Sequence, residues 1–515
     1  MRGPHQSSDG EREFMAQEIL DFARQGYWLV VPYSVVADWP NLRISPLGVV
    51  PQRDRRPRLI VDYTFSNVNG ETITLSPREA MQFGRALPRV LSKIVHADTR
   101  YGPTYLSKID IADGFYRVWV QLDDIPKLGV ALPTASGCYP LVAFPLALPM
   151  GWVESPPYFT ALTETSSDLA NDMLTSDDPR LRRLHRLEAV ADTPPPEHST
   201  LPPVTTHRAT PGTKIIRRQA PLGSVEVYVD DFLLLAHTQR QRQHVLRAAL
   251  YSIDDVFRPL APSDPATRNE PASVKKMLQG DAYWSTKKRV LGWDIDTEAL
   301  TLNLPPHRLV RLREVLQWLR PPRKRLATST WHRVLGELRS MSPALPGTRG
   351  LFSVLQDALS RGDRRRVRLN EHVYAAAADF SALLDSLAER PTRLPELVPT
   401  APSHIGASDA CRLGIGGVWL PTTPHEAPLV WRMRFPSKVS NDLVTSTNRN
   451  GSISISDLEL AGMIAHKDIL ANAHDIRKRT SWIAGDNRAA VSWSNKGSST
   501  SLGARAYLLQ YNALH

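Results

Sequence analysis

The tetrapeptide Tyr228-Val229-Asp230-Asp231 lies between two apolar stretches, SVEV before it and FLLLA after it. The flanking runs read as β-strands, so the Asp pair falls where a hairpin must turn and both carboxylates crowd one edge of a sheet. Like charges that close raise each other's pKa and resist joint ionisation, whereas a divalent cation bound through carboxylate oxygens neutralises them. Asp-Asp is also good turn chemistry in its own right. The pair therefore points to a metal only in the company of further acids.

That company lies upstream, in TYLSKIDIADGFYRVWVQL, where Asp110 closes an apolar run and Phe115 follows five residues later. Three carboxylates from two strands are the minimum constellation for a two-metal site, in which one ion activates an attacking hydroxyl and the other stabilises a leaving pyrophosphate. The chemistry implied is nucleotidyl transfer. Asp113 stands at a spacing that suits a turn residue and is left outside the site.

Five blocks follow one another along the chain: RISPLGVVPQRDRRPRLIVDYTFSNVN, SKIDIADGFYRVWV, ALPMGWVESPPYF, VYVDDFLLLAHT and LGWDIDTEALTLNLP. In content and order they resemble the reverse transcriptases of retroelements, over roughly residues 40 to 310 and more weakly to the end. The layout is similar to long-terminal-repeat or tyrosine-recombinase retrotransposons. The resemblance implies that Asp110, Asp230 and Asp231 bind two Mg²⁺ ions, or Mn²⁺, with the backbone carbonyl of Ile111 completing the coordination. It places Arg58 against the incoming triphosphate with Arg53 as a neighbouring basic position, and an arginine fork suits phosphate oxygens. Phe115 would close over the sugar and exclude a 2′-hydroxyl, its alternative being an ordinary core aromatic. Gly151 would let backbone approach a nucleotide or template, and Pro156 and Phe159 fall where the family carries these residues. Glu154 is unusual there, an acid near the surface assigned to the nascent base pair. Leu291-Gly292 resembles the hairpin that grips the primer end. The partners implied are an RNA or DNA template with its primer and deoxynucleoside triphosphates.

Composition agrees with a polyanionic partner. Lys plus Arg number 63 against 52 for Asp plus Glu, a formal charge of +11, and each phosphate contact made by such a surface releases condensed counterions. The runs RPPRKR at 320–325 and RGDRRRVR at 361–368 would line a duplex channel or form solvated surface. No apolar stretch reaches the roughly 18 residues of a membrane span, and the polar start MRGPHQSSDGERE excludes a secretory signal. Cys138 and Cys411 are the only cysteines, which leaves neither a disulfide scaffold nor a zinc cluster and points to a reducing compartment, nucleus or cytoplasm.

The expected organisation is an α+β chain. A lead segment (1–40) precedes right-hand polymerase fingers and palm (41–305), a helical thumb or connection (306–395) and a ribonuclease H-like α/β domain (396–515). A Pro/Thr-rich stretch at about 165–220 reads as an unstructured insertion. HRLVRLREVLQWL sets Leu309, Leu312, Leu316 and Leu319 on one helical face as packing surface, and the prolines from Pro391 to Pro402 read as a linker. Beyond them a second resemblance, to the ribonuclease H fold, assigns Asp409, Glu459 and Asp486 to a further two-metal site. Taken singly these could be a turn residue, an exposed helix acid and a helix N-cap. That family's fourth carboxylate has no counterpart, because residues 487–515 contain no Asp or Glu, and the domain reads as incomplete, part of a longer polyprotein or a truncated reading frame. The expected function is an RNA-directed DNA polymerase of a retrotransposon, with RNA-strand cleavage left open. The alternative is a catalytically inactive remnant that binds nucleic acid.

Overall fold

The structure, a computed structural model, describes residues 10–52, 55–73, 85–133, 138–196, 220–258, 270–345, 348–362, 365–389, 391–422, 427–476 and 479–496. The chain divides into two compact units. The first comprises Met1–Val90, Asp98–Pro202 and Ala220–Thr286, the second Leu91–Ala97, Pro203–Gln219 and Lys287–His515.

Among the described residues the first unit carries eight strands: β1 (Trp28–Pro32), β2 (Ile44–Gln52), β3 (Arg55–Val61), β4 (Tyr105–Asp110), β5 (Gly129–Ala131), β6 (Leu141–Pro145), β7 (Gly223–Tyr228) and β8 (Asp231–Ala236). They form a five-stranded sheet in the order β1-β6-β5-β2-β3 and a three-stranded sheet in the order β4-β8-β7. Along β7 and β8 the residues Val225, Val227 and Phe232 to Ala236 are all buried, the continuous pattern of strands covered on both faces. Two long helices, Ser155–Ser176 and Gln239–Phe257, pack against this sheet. Thr238 caps the second by accepting from the Gln241 N–H. The Asn171 side chain completes the free edge of β7, accepting from the Val225 N–H at 3.0 Å and donating to its carbonyl at 2.7 Å.

Two expectations change here. The presumed lead segment supplies the helix Arg12–Arg24, which buries Met15 and Ile19, and strand β1, paired with β6 from Trp28↔Pro145 to Pro32↔Leu141. The apolar WLVV run has a sheet edge to fill. The insertion also begins later than about 165, because Ser155–Ser176 is helical and buries Phe159, Ala170 and Met173. Its prolines occupy the first turn, where a missing N–H costs nothing. A 3₁₀ turn (Pro179–Arg182) and a short helix (Glu188–Ala191) follow. Residues 197–219, the centre of the Pro/Thr-rich stretch, lie outside the described residues.

The second unit contains β9 (Lys287–Val290), β10 (Trp293–Asp296), β11 (Thr301–Asn303), β12 (Arg325–Ala327), β13 (Arg366–Arg368), β14 (Thr392–Arg393), β15 (Pro402–Ala410), β16 (Gly414–Pro421), β17 (Leu429–Arg434) and β18 (Thr480–Ala484). Strands β14-β11-β10-β9 make one sheet and β12-β13 a two-stranded ribbon. Part of the expected proline linker is thus a sheet edge, β14 pairing with β11 through Thr301↔Arg393. The helix Pro306–Gln317 and the turn after it bury Leu312, Val315, Leu316 and Leu319, as the leucine spacing predicts, while Leu309 is half-buried.

The last sheet runs β17-β16-β15-β18, antiparallel except for the parallel pair β15–β18. The helix Ile455–Ala473, started by a Ser454–Asp457 capping box, packs on β15 and β16. Its His466 lies flat on Trp419, with ring centroids 4.0 Å apart, and accepts at Nδ1 from the Trp431 indole N–H at 2.7 Å. Glycine makes room for this stack: a Cβ on Gly406 would fall 2.3 Å from His466 Nε2. Among the described residues no helix is long and apolar enough to cross a membrane.

Candidate functional site

Strands β7 and β8 pair down to Tyr228↔Asp231, so Val229 and Asp230 alone form the turn. Val229 has φ +56°, a left-handed conformation that β-branched residues avoid and that stores about 1–3 kcal/mol of strain. Strand β4 lies on the other side of β8, with Asp110 directly opposite Asp231. The Ile111 N–H donates to the Asp230 carbonyl at 3.1 Å and ties the turn to the segment that follows β4. The Ser273 N–H donates to the Asp110 carbonyl at 2.8 Å. In this arrangement carboxylate oxygens of Asp110, Asp230 and Asp231 all lie within 4.8 Å of one another.

Asp110 is 6 % exposed. Burial pushes its carboxyl up to about 7, the neighbouring Asp230 and Asp231 add to the rise, and the Lys276 ammonium, 2.7 Å from its Oδ1, works against it. Asp230 is raised as well, by burial first and by Asp231 second. Lys108 lies 3.6 Å from Asp231 and 3.1 Å from Asp281. Burial alone would lower its pKa, but the carboxylates of Asp231 and Asp281 outweigh that and hold it above the usual lysine value. The cluster thus already gathers ammonium groups around it. An all-oxygen, carboxylate-rich donor set of this kind fits Mg²⁺ or Mn²⁺. Neither lysine was singled out from sequence. Lys108 was legible, two residues before Asp110 and so on the same strand face, whereas nothing local marks Lys276.

The remaining expected residues fall differently. Arg58 is exposed on β3, opposite Val50, and has no ion pair among the described residues. Arg53 lies outside the described residues. Phe115, in the 3₁₀ turn Gly114–Arg117, is partly buried and meets Phe159 edge-on at 5.0 Å, so it does serve as a packing aromatic. Ile111 is buried at 3 % exposure. Gly151 has φ +115°, and a Cβ there would fall 2.1 Å from the Val61 carbonyl oxygen. Its glycine is therefore required by β3 itself, independently of any nucleotide. Glu154 is 2 % exposed, so it is an interior acid where a surface one was expected. Asp113 has φ +54°, the turn role its spacing suggested. Leu291 and Gly292, both at positive φ, form the two-residue turn between β9 and β10, and the Gly292 carbonyl accepts from Arg308 at 2.8 Å.

The second unit brings another acidic set together. Asp409 stands on β15, Glu459 on the helix that covers it, and Asp486 just past β18, with carboxylate oxygens within 4.8 Å of one another. The parallel β15–β18 pair supplies two of the three. Burial raises the Glu459 carboxyl, the Ala410 N–H opposes the rise, and Asp409 and Asp486 contribute to it. Asp486 is not the helix cap, because Asn487 accepts from the Ala490 N–H at 3.0 Å.

No family model and no curated protein matches the chain. Among solved structures it is similar to a foamy viral protease-reverse transcriptase in complex with an RNA/DNA hybrid, at 14 % identity and a TM-score of 0.49, covering 99 % of this chain and 53 % of that one. A second structure of that protein, with dsDNA, gives 13 % identity and a TM-score of 0.48 over 99 % of this chain and 82 % of that one. A third, a form called dRH with dsDNA, gives 13 % and 0.47 over 100 % and 70 %. The chain spans about half the length of the first of these. At such identities and TM-scores the likeness carries no weight for function, which rests on the carboxylates.

Proposed function

We propose that the chain is an RNA-directed DNA polymerase of a retrotransposon, its first unit serving as fingers and palm and the helices after residue 305 as thumb and connection. The observation that carries this is the convergence of Asp110, Asp230 and Asp231 at the tip of a strained, apolar-flanked hairpin. Two Mg²⁺ ions held there would neutralise charge on the attacking primer oxygen and the leaving pyrophosphate. The chain's own residues do the positioning. The register of β4, β8 and β7 fixes three acids that would repel one another without a cation, and Ile111 locks the turn. Arg58, without an acid partner among the described residues, offers a guanidinium fork to triphosphate oxygens. Phe115, held edge-on by Phe159, is a firm wall beside which a 2′-hydroxyl would clash.

The second cluster favours RNA-strand cleavage as a further activity, with Asp409, Glu459 and Asp486 as its acids. The intact first triad weighs against a catalytically inactive remnant. The test is incorporation of deoxy- and ribonucleotides by the full chain. Asp110→Asn should abolish both while leaving hybrid binding in place, and Phe115→Ala should admit ribonucleotides. Ribonucleotide exclusion unchanged in Phe115→Ala would remove Phe115 from the site, and full incorporation by Asp110→Asn would remove the triad.

A further inference from the structure

The two basic runs of the sequence meet in space. Strand β12 ends the first and β13 the second, and they pair with Arg325 opposite Arg368 and Ala327 opposite Arg366. Leu326 and Val367, opposite each other between these pairs, are buried. Alternation along each strand then sets Arg325, Arg366 and Arg368 together on the outer face. Arg323, Lys324 and Arg365 lead into the two strands and are also exposed.

Among the described residues none of these six cations has an acid partner. Elsewhere in the same unit arginines are neutralised: Arg289 by Asp294, Arg311 by Glu337 and Glu314, Arg361 by Asp357. On the ribbon, like charges stand directly across an antiparallel pair, an arrangement that costs stability. The helix Thr328–Met341 that continues from β12 has no acid in its first turn to offset them.

We propose that the outer face of this ribbon is a docking surface for the phosphates of a nucleic-acid duplex, with Arg325, Arg366 and Arg368 each taking one phosphate. Residues two apart on a strand are about 6.8 Å apart, about twice the 3.4 Å axial repeat of phosphates along one strand of a duplex. The guanidinium fork matches phosphate oxygens. Firm binding to a lipid surface draws on apolar side chains beside the charges, and Leu326 and Val367 of the ribbon face inward. Taking the duplex to be a template with its primer rests on the polymerase reading above; the charge argument does not.

The test is binding of a labelled RNA/DNA hybrid to the full chain across a potassium chloride series. It compares wild type with Arg325→Gln/Arg366→Gln/Arg368→Gln and with the corresponding triple lysine variant. At about 0.9 per phosphate contact, the slope of log affinity against log salt should become shallower by about 2.7 in the glutamine variant. The lysine variant should keep the wild-type slope. Arg366→Gln alone should remove about 0.9, which keeps the test open should the triple variant unfold. Tight hybrid binding with the same slope in wild type and glutamine variants would overturn the ribbon assignment alone. Loss of primer extension in wild type with the ribbon-dependent slope intact would overturn the polymerase reading alone.

Discussion

The two carboxylate clusters each bring three acids together and are built by opposite means. Asp110, Asp230 and Asp231 come from neighbouring antiparallel strands and a two-residue turn, so backbone hydrogen bonds fix their spacing. Asp409, Glu459 and Asp486 come from a parallel strand pair and a covering helix, and Asp409 and Asp486 are exposed. The first cluster is set in an apolar sheet and carries two ammonium groups against it. No ammonium group is paired with the second among the described residues. A site held by strand register tolerates strong like-charge repulsion. One assembled across elements keeps its acids nearer water.

The largest expected effect separates the clusters by activity. Asp110→Asn should lower nucleotide incorporation at least about 100-fold, the scale of losing one preorganised charge-stabilising group. It should leave any hybrid-specific RNA cleavage unchanged, and Asp486→Asn should do the reverse; a single variant that removed both activities would break the comparison. Next, Arg58→Gln should raise the KM for deoxynucleotides about tenfold or more, the loss of charge-assisted hydrogen bonds to phosphate. Steady-state kinetics on a fixed template checks this, and an effect confined to kcat would contradict it.

Packing offers a smaller contrast. Gly406→Ala would drive a methyl into His466 and Trp419, an overpacking cost of about 1–3 kcal/mol. Thermal unfolding followed by tryptophan fluorescence should show the second unit weakened while incorporation persists below the new midpoint.

A further contrast concerns pH, and the two units should respond in opposite senses. The Asp110 carboxyl is raised from 3.8 to about 7 in the fold, mainly by burial. The fold favours its neutral form, so this contribution is full below 3.8 and is lost as pH rises to about 7. His466 is lowered from 6.5 to about 4 by burial. The unfolded chain takes up its proton first, so that contribution is full above 6.5 and is lost as pH falls to about 4. Denaturant melts of the metal-free chain at pH 4 to 7 check both signs. Asp110→Asn should flatten the first trend and His466→Phe the second.

Sequence reached the Asp230-Asp231 half of the first cluster because its geometry is local: the apolar runs bounding the pair specify a hairpin. Asp110 joins them only through the long-range pairing of β4 with β8, and it was the resemblance, not local geometry, that put the three together. Sequence did not reach the cost of that turn, because nothing in Val229 announces a positive φ. Lys276 was out of reach as well, since it meets Asp110 only through the chain folding back by Ser273. The end of the helix Ser155–Ser176 was misread because the Pro/Thr-rich stretch beyond it was carried back over residues 165–176, whose many Ser, Thr and Asp residues mask the buried Ala170 and Met173. Gly151 was assigned to a ligand when the close neighbour is the Val61 carbonyl, a contact between distant segments. For Asp409, Glu459 and Asp486, residue order in the sequence was suggestive, but parallel pairing of β15 and β18 decides that they meet.

The most direct measurement is Mg²⁺-dependent extension of an oligo(dT) primer on poly(rA), comparing the chain with an Asp230→Ala/Asp231→Ala double variant at equal hybrid binding. The account predicts incorporation by the chain and none by the variant. A folded chain that binds the hybrid tightly and extends nothing, or a variant that extends as well as the parent, would contradict it.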